Sequence, residues 1–182
     1  RYRNPDEIQE RVRQSLRFIW EKLPHEHGFF YHFVDITTGQ REWMSEISSI
    51  DTSILICGVL TARQHFRDAE IQELATKIYE RVDWDWMLND AHTLSMGWYP
   101  ESGFIGMRWA HYCELMMIYL LALGSPTHPI SARSWAAWKR PTINYQGYEY
   151  ISGNDPLFTH QYSHAWFDFR NQRDSYLNYF QN

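Results

Sequence analysis

Three times along this chain an aromatic, extended stretch with a glycine at its turn leads into an apolar helix that carries an ionisable group near its start. Counted from the turn glycine, Gly39 lies 12 residues before Asp51, Gly103 lies 11 before Glu114, and Gly153 lies 11 before His164. A recurrence at this spacing marks a repeated supersecondary unit. The apolar helices alternate with amphipathic ones. Residues 5–22, opened by Asn4 and Pro5, carry with Leu23 the stripe Ile8, Val12, Leu16 and Ile19, and residues 68–82 carry Ile71, Leu74, Ala75, Ile78 and Val82. An inner ring of apolar helices covered by an outer ring of amphipathic ones satisfies that alternation. It also places the starts of the inner helices, and the hairpins before them, on one rim.

The extended stretches are residues 28–43 with Thr38-Gly39 at the turn, 94–109 with Pro100 and Gly103, and 145–158 turning near Gly153. Further helices are expected over 49–66, 110–123, 131–138 and 174–180. The face below Asp51 on the first of these is Leu55, Gly58 and Ala62. A mid-helix glycine costs about 1 kcal/mol relative to alanine, so a close neighbouring helix is expected there.

Several function classes drop out. The 182 residues suffice for one domain with a real core. Net charge is -5 and no run of Lys or Arg occurs, so the footprint that binds phosphate backbones is missing and no nucleic-acid partner is expected. The longest apolar run, 115–123, is far short of the roughly 20 residues that span a bilayer. Cys57 and Cys113 lie in apolar runs, where a buried reduced thiol is the default. No phosphate-loop, dinucleotide or nucleophile-elbow fingerprint appears, and no cofactor is expected. The residues leave the compartment open, since a chain that starts at Arg1 is compatible with a leader upstream.

What remains is a set of carboxylates beside aromatic rings. The chain holds 9 Trp, 12 Tyr and 10 Phe, several of them clustered with His, Asp, Gln and Asn in turns. Flat apolar rings beside polar groups suit sugars, which have apolar faces and hydroxyl rims. Ser48-Ser49-Ile50-Asp51 fits a capping box, so Asp51 can serve the helix start, chemistry, or both. Glu114 shares a helical face with Ala110, Met117, Ile118 and Leu121, surroundings that favour a protonated acid; a bond to Arg108 is the structural alternative. Glu101 sits in a turn from which it can reach a substrate. His160, His164 and Asp168 follow at i, i+4 and i+8; this spacing is a weak metal signal and is read instead as a sugar-facing patch with Tyr162 and Trp166. Paired carboxylates of this kind are what glycoside hydrolysis requires.

Four stretches carry a resemblance: I-D-T-x-x-L-x-x-G-x-L-T-A-R-Q-x-F at 50–66, W-Y-P-E-S-G-F at 98–104, Y-C-E-x-x-x-I-Y-L-L-A-L-G-S-P-T-H-P-I at 112–130, and P-L-F-T-H-Q-Y-S-H-A-W-F-D-F-R at 156–170. In this order they resemble the glucoamylase-like (glycoamylase-like) family, related to endo-beta-1,2-glucanases and to a segment of cyclic beta-1,2-glucan synthases. The resemblance implies an (α/α)6 barrel, a bacterial carbohydrate-active protein and an inverting hydrolase acting on a glucan, with a binding module or a transglycosylase as alternatives. It implies an oligo- or polysaccharide as partner and a periplasmic or extracellular setting. Glu114 matches the family's Tyr-x-Glu glutamate, the expected catalytic acid, and Asp51 matches the acid before Thr in a D-x-x-E-T pattern. Ser48 stands where that pattern has its first acid, and Glu46 is the residue placed to compensate. Trp43, Trp98, Tyr99, Trp109, Tyr112 and Tyr162, with Glu46, Glu101, His160 and His164, are the expected sugar-binding groups. Twelve helices make such a barrel and about seven are legible, so the 182 residues are expected to be an incomplete central portion, with other barrel helices or a partner chain covering an open apolar flank.

Overall fold

The computed structural model describes residues 4–153 and 156–182. The chain is mainly helical, with three small antiparallel sheets. Helix α1 (Pro5–Glu21) begins where the Asn4 side chain accepts from the Asp6 N–H and Pro5 fills the first turn. Strands β1 (His25–Glu26) and β2 (Phe29–Phe30) form a small hairpin, and β3 (Ile47–Ser48) runs directly into α2 (Ser49–His65). Asp68 caps α3 (Ala69–Glu80), and Asp83 caps the short α4 (Trp84–Leu88). Strands β4 (Gly97–Tyr99) and β5 (Gly103–Phe104) pair around the Pro100–Gly103 turn, and β4 also pairs with β3. Then come α5 (Met116–Leu123), α6 (Arg133–Ala137), the hairpin of β6 (Thr142–Tyr145) and β7 (Tyr148–Ile151), α7 (Phe158–Gln161) and a 3-10 turn over Ser163–Ala165.

Helix α3 packs against both α1 and α2, and α2 also meets α5. The amphipathic stripe on α3 is buried as its spacing requires, with Ile71, Ala75 and Ile78 fully enclosed. Helix α5 is apolar on every side, and six of its eight residues are buried. Apolar and amphipathic helices are thus both present. No helix among the described residues is long and apolar enough to cross a membrane.

Four expectations need correction. The helix expected over 110–123 starts only at Met116, because the preceding backbone bonds to a distant segment: the Tyr112 N–H donates to the Lys139 carbonyl and the Lys139 N–H to the Ala110 carbonyl, both at 2.8 Å. The third hairpin turns at Gln146-Gly147, both at positive φ, rather than near Gly153, so the third member of the spacing pattern fails; the stretch 145–158 lies partly outside the described residues. Gly58 is exposed, and an added Cβ would meet nothing within 4 Å, so no helix among the described residues explains it. Residues 174–180 are not helical. The Asp174 carboxylate accepts from the Tyr176 and Leu177 N–H groups and the Asn178 side chain from those of Phe180 and Gln181, side-chain bonds that replace the helical ladder.

Asp174 also fastens this terminal segment to α6, accepting from the Trp135 indole at 2.7 Å and the Tyr179 hydroxyl at 2.8 Å. Burial pushes its carboxyl up, but the bonds from Trp135, Leu177, Tyr179 and Tyr176 outweigh burial and hold it below the ordinary range. A depressed carboxyl contributes stability above its unfolded pKa of about 3.9, and loses it as pH falls through the lower folded value. Asp174→Asn is therefore expected to unfold more easily than the parent at neutral pH, the gap closing below about pH 4 in thermal melts. A gap that stays constant down to about pH 2.5 contradicts this.

Candidate active site

The rim begins at the start of α2. Ser48 is the N-cap: its Oγ accepts from the Asp51 N–H at 3.2 Å and donates to Asp51 Oδ2 at 2.6 Å. The acid therefore returns to the cap hydroxyl, and its negative charge lies in the first turn, where the helix dipole favours it. His32 approaches from the strand-like stretch beside β3. Its Nδ1 is 3.0 Å from Glu46 Oε1 and its Nε2 is 3.5 Å from Asp51 Oδ2. Glu46, Ser48, Asp51 and His32 thus form one cluster.

This cluster is held by β4. Gly97 pairs with Ser48, and a Cβ on Gly97 would stand 2.4 Å from the Ile47 carbonyl oxygen and 3.0 Å from Glu46 Cγ. Only glycine permits that approach. Beneath lies a buried polar network. The Trp109 indole N–H donates to Ser49 Oγ at 2.8 Å, and Ser49 Oγ reaches the carbonyls of Ser95 and Met96. The Tyr119 hydroxyl donates to the Trp109 carbonyl at 2.8 Å and accepts from the Leu94 N–H. Burial pushes the Tyr119 hydroxyl up to about 12, so it stays a neutral donor.

Glu114 sits in the turn just before α5, half-buried, rather than inside a helix; its expected helical alignment with Ala110 does not exist. Its position is set by Ser163, whose Oγ donates to the Glu114 carbonyl at 2.9 Å and accepts from the Met117 N–H at 3.1 Å. A side chain from a later segment thereby supplies the cap that α5 lacks. Arg108 is engaged elsewhere, on the carbonyls of Thr93 and Leu88. Among the described residues no side chain bonds the Glu114 carboxyl.

The aromatic candidates divide. Trp43 is 77% exposed at positive φ and lies against Phe33, so its face is available to a ligand. Trp98 and Tyr99 are half-buried on β4, with Trp98 packed on Trp86. Trp109 does not line an open surface: it is buried, and its indole N–H is committed to Ser49. Glu101 is paired with Arg41 at 2.5 and 3.0 Å, which holds its carboxyl below the ordinary range and ties the β4–β5 turn to the first hairpin.

A second region lies beyond Glu114. A cavity of about 1010 Å³ is lined by Tyr112, the tyrosines of the β6–β7 hairpin, His160 and Gln161 of α7, His164, and the terminal segment. Tyr112 is almost wholly buried, its ring 5.2 Å from that of His160, and burial pushes its hydroxyl up to about 12. His164 follows Ser163 directly, and burial lowers its imidazole, with His160 adding to the effect. Tyr162 is half-buried against Phe158. Asp168 does not join the histidines. It is exposed and held at about 2 by Arg170, because α7 ends at Gln161 and no continuous helix carries the i, i+8 register.

Sequence reasoning missed His32, Arg41, Ser163 and the tyrosines of β6 and β7. His32 and Glu46 meet through strand pairing, with the His32 N–H donating to the Glu46 carbonyl at 2.9 Å. No helical or metal-ligand spacing reports such a contact.

Comparison with known proteins follows the same lines. Residues 106–182 match the glycoamylase family, described as "Putative glucoamylase". An exo beta-1,2-glucooligosaccharide sophorohydrolase (non-reducing end) of Parabacteroides distasonis is 28% identical over 201 residues, covering 89% of this chain and 28% of that protein. An endo-beta-1,2-glucanase from Chitinophaga pinensis, solved with sophorotriose and glucose, superposes with a TM-score of 0.89 at 26% identity, covering 100% of this chain and 49% of that one. A beta-1,2-glucanase from Parabacteroides distasonis gives 0.88 at 25% identity, covering 99% and 31%. The glycoamylase-like resemblance in the sequence is thus shown, and the chain spans less than half the length of each of these relatives.

Gly97→Ala tests the seating of the cluster. It is expected to destabilise the protein by about 1–3 kcal/mol in urea unfolding, since backbone rather than a flexible side chain must move. An unchanged midpoint contradicts the close approach of β4 to β3.

Proposed function

We propose that this chain is the central portion of an (α/α)6-barrel glycoside hydrolase that cleaves a glucan with inversion, the remaining barrel helices packing on faces such as the one Gly58 leaves open. The observation that carries the reading is the buried hydrogen bond from Trp109 to Ser49. It joins the helix start bearing Asp51 to the segment leading into Glu114, so two carboxyl groups are presented by one rigid frame. The similarity to beta-1,2-glucan hydrolases supports a 1,2-linked glucan as substrate.

In this reading Glu114, with no side-chain partner among the described residues, protonates the glycosidic oxygen as the bond to the anomeric carbon breaks. Asp51 accepts a proton from a water whose oxygen bonds to that carbon on the opposite face. Inversion calls for a carboxyl separation of about 6.5–9.5 Å, room for that water. The exposed Trp43 ring offers a stacking face for a sugar, and the tyrosine-lined cavity beside His160 extends the recognition surface.

One observation favours a second reading, a carbohydrate-binding module without turnover: Ser48 stands where the glucanase pattern has an acid. Glu114→Gln separates the two. It is expected to lower glucan cleavage by at least about 10³-fold while sugar affinity, read by calorimetry, changes little. Cleavage that survives the substitution, or a parent protein that binds but never cleaves, overturns the hydrolase.

A further inference from the structure

His32 stands between the two acids that flank the start of α2, and its placement is over-determined. Its backbone N–H donates to the Glu46 carbonyl at 2.9 Å, fixing the two residues opposite each other. Its ring stacks on Phe33 with centroids 4.0 Å apart and planes inclined by 18°. In that pose Nδ1 hydrogen-bonds Glu46 Oε1 at 3.0 Å while Nε2 faces Asp51 Oδ2 at 3.5 Å. The imidazole thus bridges the two carboxyl groups, one ring nitrogen toward each.

Asp51 Oδ2 accepts from the Ser48 hydroxyl at 2.6 Å and lies 3.5 Å from His32 Nε2. Among the described residues Oδ1 has no side-chain or backbone donor. We propose that His32 is a positioning residue: anchored by Glu46, it clamps the Asp51 carboxylate through Oδ2 so that Oδ1 alone is presented to the attacking water. This rests on Asp51 acting as the base of the proposed hydrolysis. Glu46 is then the anchor of the imidazole rather than a second base. The site works with Ser48 in place of an acid because Ser48 donates to Asp51 instead of repelling it.

The test uses the protein expressed from its full reading frame. His32→Ala is expected to lower kcat on a beta-1,2-glucooligosaccharide by about 10–100-fold, with KM within about threefold, and free imidazole is expected to restore part of the lost rate. In protein labelled with 15N-histidine, Glu46→Gln shifts the Nδ1 signal of His32 and Asp51→Asn the Nε2 signal. A kcat within about twofold of the parent, a loss that imidazole does not rescue, or ring signals indifferent to both substitutions overturns the clamp. Failure of the hydrolase reading looks different: the parent protein cleaves no glucan, and the ring signals still decide whether the contacts exist.

Discussion

The hydroxyl of Ser49 holds the rim together. It accepts from the Trp109 indole and reaches the carbonyls of Ser95 and Met96, all within a region where Ser49 and Ser95 are fully buried. Trp109 is in turn held by Tyr119, deep in α5, which also receives the Leu94 N–H. Three elements distant in sequence, the start of α2, the β4–β5 hairpin and α5, thus share one polar network inside an apolar core. Such a network is stable only when its members are satisfied together, because an orphaned buried donor or acceptor costs about 1–3 kcal/mol. The frame it makes leaves little freedom for the side chains mounted on it.

Those side chains differ in their surroundings. Asp51 has its cap hydroxyl, a place in the first turn of α2 and the His32 ring beside its Oδ2. Glu114 is half-buried, with no charged or hydrogen-bonding side chain at its carboxyl among the described residues. In the proposed hydrolysis that difference separates the base, Asp51, from the acid, Glu114. In this account the difference between Asp51 and Glu114 follows from local structure: one is clamped by a cap and an imidazole, the other stands in a turn that Ser163 pins through the backbone alone.

Much of this was legible in the sequence, and the failures have physical causes. Helices α1, α2 and α3 announced themselves by caps and stripes, because their stability comes from one buried face and local hydrogen bonds. The turn at Gly103 was legible for the same local reason. Residues 110–115 misled, since an apolar run reads as helix whether or not a remote segment such as that at Lys139 claims its backbone. Residues 174–180 misled because Asp174 and Asn178 trade the helical ladder for their own side-chain bonds. At the site, Glu46, Asp51 and Glu114 stood out as acids beside apolar positions, whereas the bonds of Trp109 to Ser49 and of Glu101 to Arg41 were not legible. His32 and Ser163 act across long sequence separations and leave no periodic trace.

The anomeric configuration of the first product formed, followed by NMR immediately after mixing enzyme with glucan, tests the account most directly. Two carboxyl groups that hold a water between base and sugar require a single displacement, so the new reducing end must emerge with configuration opposite to the bond cleaved. Inversion, with a beta-linked glucan giving the alpha anomer before mutarotation, is the predicted result. Retention would contradict it, since it demands a carboxylate bonded to the sugar rather than one that activates water.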